Sequence, residues 1–148
     1  MILKTTRFGD IEVDEKRVIT FQEGLPGFPK ARRFVLLQHN PESPFHWLQS
    51  LEDPALAFVV TDPLLVMPRY LESIPKEMLQ EMQLRDAADA AVLVIVRIHR
   101  NPRRITANLL APLIINPEIR TARQVILMGS GYEIQHELSP ARIASNAS

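Results

Sequence analysis

The sequence predicts a mainly β fold: an antiparallel, barrel-like single domain with one or two short helices. Three observations lead there. Apolar and polar residues alternate with a period of two over much of the chain, as in half-buried strands. Turn chemistry recurs between these runs at short spacing, which suits a barrel or sandwich better than alternating βαβ units. The chain also has 12 prolines against 5 glycines. That reverses ordinary usage, so pre-set chain reversals are many and phosphate-cradling loops few.

The elements follow in order. Ile11 and Val13 alternate with Asp10, Glu12 and Asp14, as in a strand with one buried face. Further apolar, β-branched or aromatic runs at 18–21, 34–37, 45–51, 56–61, 91–98, 105–115 and 124–127 read as strands. Asp53-Pro54 and Asp62-Pro63 start turns that bracket one strand. Residues 91–96 are apolar on both faces, so this strand should be central and covered on both sides. Pro112 cannot sit inside a central ladder, so a bulge or break is expected within 105–115. One helix is predicted over 75–84, with Pro75 in its first turn and Ile74, Met78, Leu79 and Met82 forming an apolar stripe. That stripe should cover one face or opening of the β-structure, and Glu81 should pair with Arg85 at i, i+4. Trp47 reads as a core residue, with an interface anchor as the alternative. The domain is expected to span 1–138, with 139–148 a small, polar, flexible tail.

Composition narrows the function. A chain of 148 residues can bury a core without staples. Its 17 basic and 17 acidic side chains cancel, which argues against a protein that coats nucleic acid or an anionic membrane. There is no cysteine, so disulfides, thiolate nucleophiles and Cys-ligated metals are excluded. The longest apolar runs, 90–96 and 109–115, fall far short of the ~20 residues that span a bilayer. The start of the chain lacks the apolar segment of a signal peptide. A soluble cytoplasmic protein is expected.

Catalytic and cofactor motifs fail one by one. Gly129-Ser130-Gly131 follows a predicted strand, but Ile134 occupies the place of the third glycine of a dinucleotide fingerprint. A hairpin turn is the better reading there. His39, His46, His99 and His136 show no paired ligand spacing. No Gly-x-Ser-x-Gly turn is present. Arg97, Arg100, Arg103 and Arg104, with His99, form the one strongly basic run. It lacks the interleaved aromatics of single-strand binders and reads as a solvated loop between two strands. No catalytic residue, metal site or cofactor is expected, and binding another macromolecule is the remaining role. The rival readings are an RNA-binding or a small-ligand-binding β-barrel domain.

Three segments carry a resemblance. They are Phe8-Gly9-Asp10-Ile11-Glu12 continuing to Ile19-Thr20-Phe21-Gln22-Glu23-Gly24-Leu25-Pro26-Gly27-Phe28; Trp47-Leu48-Gln49-Ser50-Leu51-Glu52-Asp53-Pro54 running through Ala57-Phe58-Val59-Val60-Thr61-Asp62-Pro63; and Thr106-Ala107-Asn108-Leu109-Leu110-Ala111-Pro112 leading to Ile115-Asn116. Together, and in this order over about residues 2–138, the chain resembles the FliW family of flagellar assembly factors. The resemblance implies a β-barrel-like fold, no enzymatic activity and two protein partners. One is flagellin, held before export; the other is CsrA, a basic RNA-binding repressor of flagellin translation. The two compete for the factor, with no direct contact to nucleic acid or membrane. The chain departs from the family pattern at Arg100-Asn101-Pro102-Arg103-Arg104, where relatives carry acidic residues, and at Tyr132-Glu133-Ile134-Gln135-His136, where their ending is Tyr-x-x-Arg-His.

Candidate partner-binding residues follow from this role. Outside 97–104 the chain carries a net −4, so it can offer acidic surface to a basic repressor. Glu52, Asp53 and Asp62 are the acidic candidates, although residues of this kind in such positions are more often plain turn residues. Tyr70, between Arg69 and Leu71, is read as an exposed aromatic contact. Asn108 lies in an apolar run where an unpaired amide is costly; it either satisfies backbone beside Pro112 or meets a partner.

Overall fold

The computed structural model describes residues 1–38 and 40–138; His39 and the predicted tail at 139–148 lie outside the described residues. The described strands are β1 (Ile2–Thr5), β2 (Gly9–Glu12), β3 (Ile19–Phe21), β4 (Arg33–Leu37), β5 (Phe45–Ser50), β6 (Ala57–Thr61), β7 (Ala91–Arg100), β8 (Arg103–Ala107), β9 (Leu113–Asn116), β10 (Thr121–Gln124) and β11 (His136–Glu137). A single helix, α1 (Lys76–Glu81), lies among the described residues with several short 3₁₀ turns.

Strands β7, β6, β5, β4, β3, β10 and β9 pair in that order, and β9 returns to β7, closing a seven-stranded barrel. Its pairings are antiparallel except β3–β10, which run parallel at Thr20–Thr121 and Phe21–Ala122. Those two strands are far apart in sequence, so no hairpin imposes a direction on them. Ten-residue β7 holds β6 along one edge through Val94–Val96. Its other edge is divided: Ala91–Leu93 pair with β9 and Val96–Arg100 with β8. β11 then adds to β8, and the β1–β2 hairpin forms a separate two-stranded sheet.

Strand alternation sorts side chains into three clusters. Phe21, Phe34, Leu48, Val60, Leu113 and Ile115 fill the barrel interior, with Leu93 and Ile95 of β7 against them. Val92, Val94 and Val96 point the other way and share an outer core with Tyr70, Leu79, Leu109 and Leu127. Leu3 and Val13 press the β1–β2 hairpin onto Val35, on the outside of β4. Leu25 joins the interior cluster from the 23–28 loop. That loop requires Gly24, with φ at +69°, where a Cβ would come within 2.7 Å of the Pro29 carbonyl oxygen.

Several expectations hold. β7 is central, and a strand break separates β8 from β9 before Pro112. The helical stripe covers the outer face of the barrel through Ile74, Leu79 and Met82.

Others are corrected. The basic run is not the expected loop: Arg97, His99 and Arg100 end β7, Arg103 and Arg104 begin β8, and only residues 101–102 form the turn, because the strand pairing runs on to the hairpin tip. The helix ends at Glu81, short of the predicted 84, because Gln83 takes a left-handed φ of 61°. Leu84 N–H bonds Leu79 C=O at 2.8 Å and Gln83 N–H bonds Gln80 C=O at 3.0 Å, a Schellman closure. Pro75 is the N-cap residue, not the first helical one. With the helix over, Arg85 leaves the face of Glu81, which pairs with Arg123 at 2.9 Å instead. The strand predicted at 124–127 sits at Thr121–Gln124. Gly129–Gly131 form a turn but no hairpin, since β11 pairs with β8 and not with β10. β1 was not anticipated; its exposed–buried alternation rests on only four residues.

Gln83 carries a side chain at a position that favours glycine, at a cost of roughly 1 kcal/mol. Gln83→Gly should therefore raise stability by about that amount, or about 2–4 °C in Tm by thermal unfolding.

Candidate protein-binding surface

The β5–β6 turn is built around a buried amide. Gln49 is fully buried, and its Nε2 donates to the carbonyls of Ser50 at 3.1 Å, Pro54 at 3.2 Å and Leu56 at 3.1 Å. Ser50 Oγ accepts from Asp53 N–H at 3.0 Å. These bonds shape the turn from inside. The signal that could have found Gln49 is a lone amide side chain within the strand run at 45–51.

On that turn Glu52 and Asp53 have different tasks. Glu52 Oε1 accepts from the backbone N–H groups of Arg32 and Arg33, each at 2.7 Å, and Oε2 accepts from Arg33 Nε at 3.0 Å. Partial burial pushes the carboxyl up, but the bonds from Arg33 and Arg32 outweigh it and hold the carboxyl below the usual glutamate range. Glu52 is thus a clamp between the β5–β6 turn and the start of β4. Asp53 Oδ1 accepts from Ala55 N–H at 3.0 Å, the predicted Asp-Pro turn, and the residue is exposed. Asp62 caps the next turn in the same way, accepting from Leu64 N–H at 2.9 Å. β6 lies between the two turns, so Asp53 and Asp62 sit at opposite ends of that strand, roughly 15 Å or more apart at about 3.3 Å per residue. The three acidic candidates do not form one patch.

Tyr70 is a correction. Far from exposed, it is completely buried. Its hydroxyl donates to the Leu109 carbonyl, and its ring packs on Tyr132 with centroids 5.1 Å apart. Burial, and then the neighbouring Tyr132, push its phenol well above the ordinary tyrosine range. Asn108 lies beside it in the connection between β8 and β9. Its Oδ1 accepts from Ala111 N–H at 3.0 Å, and its N–H donates to Ile95 C=O at 2.9 Å. Tyr70 and Asn108 therefore meet around one segment, 108–112, and organise it internally.

The surface holds a pair of aromatic rings, Phe8 and Trp47, of which the sequence placed Trp47 in the core. Trp47 is only half-buried. Phe8 meets it edge-on with centroids 5.7 Å apart, and the Arg7 guanidinium lies 4.2 Å from its ring centroid. Alternation in β5 turns Leu48 inward and Trp47 outward, where the β1–β2 turn covers it. Thr6 N–H bonds Pro54 C=O at 2.9 Å, tying that turn to the Glu52–Asp53 turn. An open cavity of about 460 Å³, lined by Arg7, Phe8, Ile11, Leu37 and Gln38, lies alongside. Groove, Trp47 and Asp53 thus occupy one region.

Comparison with known proteins places the chain in a family. The family model described as FliW protein matches residues 2–138. The chain belongs to the FliW family. A flagellar assembly factor FliW of Alkaliphilus metalliredigens is 40% identical over 137 residues, covering 92% of this chain and 85% of the relative. Another, from Bdellovibrio bacteriovorus, is 41% identical over 138 residues, covering 93% and 79%. A crystal structure of the flagellar assembly factor FliW superposes with a TM-score of 0.82 at 38% identity, covering 95% of this chain and 99% of that one. The barrel with its added strands is therefore the FliW fold. Among the described residues, no helix is long and apolar enough to cross a membrane.

Tyr70→Phe leaves the Leu109 carbonyl without a donor in a buried site, at a cost of about 1–3 kcal/mol. Thermal unfolding should show this as a lower Tm with unchanged far-UV circular dichroism. Glu52→Gln should cost about 1 kcal/mol at neutral pH. Because the folded carboxyl titrates below its unfolded value, the Glu52 contribution is present at neutral pH and is lost as pH falls through the folded value. The variant and parent stabilities should therefore converge in acid, measured by urea unfolding across pH.

Proposed function

We propose that this chain binds flagellin and a CsrA-type translational repressor in a mutually exclusive way. The observation that carries the reading is the FliW family match over residues 2–138, with relatives named as flagellar assembly factors. Flagellin held before export occupies the factor. When flagellin leaves, the freed factor takes up the repressor and flagellin translation resumes. The switch runs by mass action, and no reaction step is assigned to any side chain.

The surface supports this reading. A groove lined by Phe8, Ile11 and Leu37 together with the polar Arg7 and Gln38 suits the apolar face of an amphipathic helix, the form expected of flagellin ends. Trp47 beside it is the kind of half-buried aromatic that anchors an interface. Asp53 keeps its carboxylate in solvent and can meet a basic repressor. Asp62 is a second exposed acid, at the far end of β6. Glu52 acts indirectly by fixing the turn, since its carboxylate already serves Arg32 and Arg33. Tyr70 and Asn108 act as positioning residues for 108–112.

Titration calorimetry tests the switch. Saturating flagellin should lower the apparent affinity for the repressor, and the repressor should lower flagellin affinity by the same factor. Asp53→Asn should weaken the repressor complex several-fold, more at low salt, and spare flagellin. A ternary complex in which neither affinity changes contradicts the reading.

A further inference from the structure

The β7–β8 hairpin departs from the barrel. β6 and β7 stay paired only as far as Val59–Val96, and Arg97–Arg100 are held by β8 alone. This projecting ribbon concentrates charge. Residues 97–104 contain Arg97, Arg100, Arg103 and Arg104 and no acid, in a chain whose total charge is zero. The register sets Arg100 opposite Arg103 and His99 opposite Arg104. Like charges directly opposite each other in a strand pair cost stability.

No ion pair among the described residues relieves that cost. The ion pairs of the described residues lie elsewhere, and Arg104 reaches only the Gln135 Oε1, at 3.4 Å. His99 registers the local potential: desolvation, then Arg104 and Arg97, hold it below the usual histidine range, with Glu137 opposing. Its Nε2 lies 3.0 Å from Thr106 Oγ1.

The second face of the ribbon adds apolar surface. Ile98 stands opposite Ile105, and alternation places both on the face that carries Arg100 and Arg103. Ile98 is 53% exposed. Ile105 is half-buried against the outer core, but Ile98 stands in solvent beside Arg100 and Arg103, which have no ion pair among the described residues. We propose that this face docks an acidic, amphipathic protein segment, with its carboxylates on Arg100 and Arg103 and its apolar side chains on Ile98 and Ile105. Guanidinium forks match carboxylates bidentately. A nucleic acid fits less well: the hairpin has no aromatic on which bases could stack, and a phosphate backbone leaves the isoleucine pair uncovered. The site goes beyond the flagellin and CsrA reading and does not rest on it, since its charge is opposite to that of Asp53 and Asp62.

Fluorescence anisotropy on the full chain at about 0.15 M salt tests the proposal. The probes are a labelled peptide of alternating Glu and Leu, poly-glutamate of equal charge, and a single-stranded RNA of equal charge. The Glu–Leu peptide should bind about tenfold more tightly than poly-glutamate or the RNA, and Ile98→Ser should abolish that preference. Arg100→Gln with Arg103→Gln should weaken the peptide at least about tenfold. The same double variant should melt at or above the parent temperature, because it removes like-charge repulsion. Equal or tighter binding of the RNA would overturn the proposal. So would peptide binding unchanged by the arginine substitutions, or a double variant that melts below the parent.

Discussion

Val92, Val94 and Val96 face the outer layer while Leu93 and Ile95 face the barrel interior, so one strand is the shared wall of two hydrophobic cores. The same strand carries the closure: β6 on one edge, β9 and β8 in succession on the other. Five such side chains contribute up to roughly 10 kcal/mol of gross burial, comparable with the whole net stability of a domain. Removing the strand's two-sided character would open the barrel and strip the outer layer together. This is why β7 has no polar residue between Ala91 and Val96.

The binding features hang on that frame in different ways. The Glu52–Asp53 turn is fixed from below by Gln49 and from the side by Arg32 and Arg33, so Asp53 is presented by backbone that cannot easily shift. The β1–β2 turn adds Arg7 and Phe8 over Trp47 and is tied to the same turn through Thr6 and Pro54. Tyr70, Asn108 and Gln124 hold the 108–112 segment, whose own carbonyls accept from Tyr70 and Gln124. The hairpin beyond Val96 is the exception. It has one neighbour strand, little buried apolar surface and a cluster of like charges.

Local patterns in the sequence carried much of this. The two-faced apolarity of 91–96 marked the central strand, Pro112 marked the break, and Asp53 and Asp62 behaved as Asp-Pro turns. What escaped was tertiary. Tyr70 lies in a polar, proline-bounded segment that looks exposed, but its hydrogen-bond partner, Leu109, is 39 residues away. Trp47 looks like core because it sits among apolar residues, but alternation turns it outward and a distant hairpin covers it. The helix end depended on a left-handed glutamine, which composition does not announce. Three acidic turn residues suggested a patch; the length of β6 separates two of them.

Native-state hydrogen exchange tests most directly whether β7 unites the molecule. The amides of β7 from Val92 to Val96 should exchange only through global unfolding, with the same free energy as protected amides in the barrel at β5 and in the outer layer at Leu109 and Leu127. Amides from Ile98 to Arg104 should exchange through a lower-energy local opening. Outer-layer amides that exchange as a separate unit, well below the barrel, would show that two cores fold independently and would contradict the account.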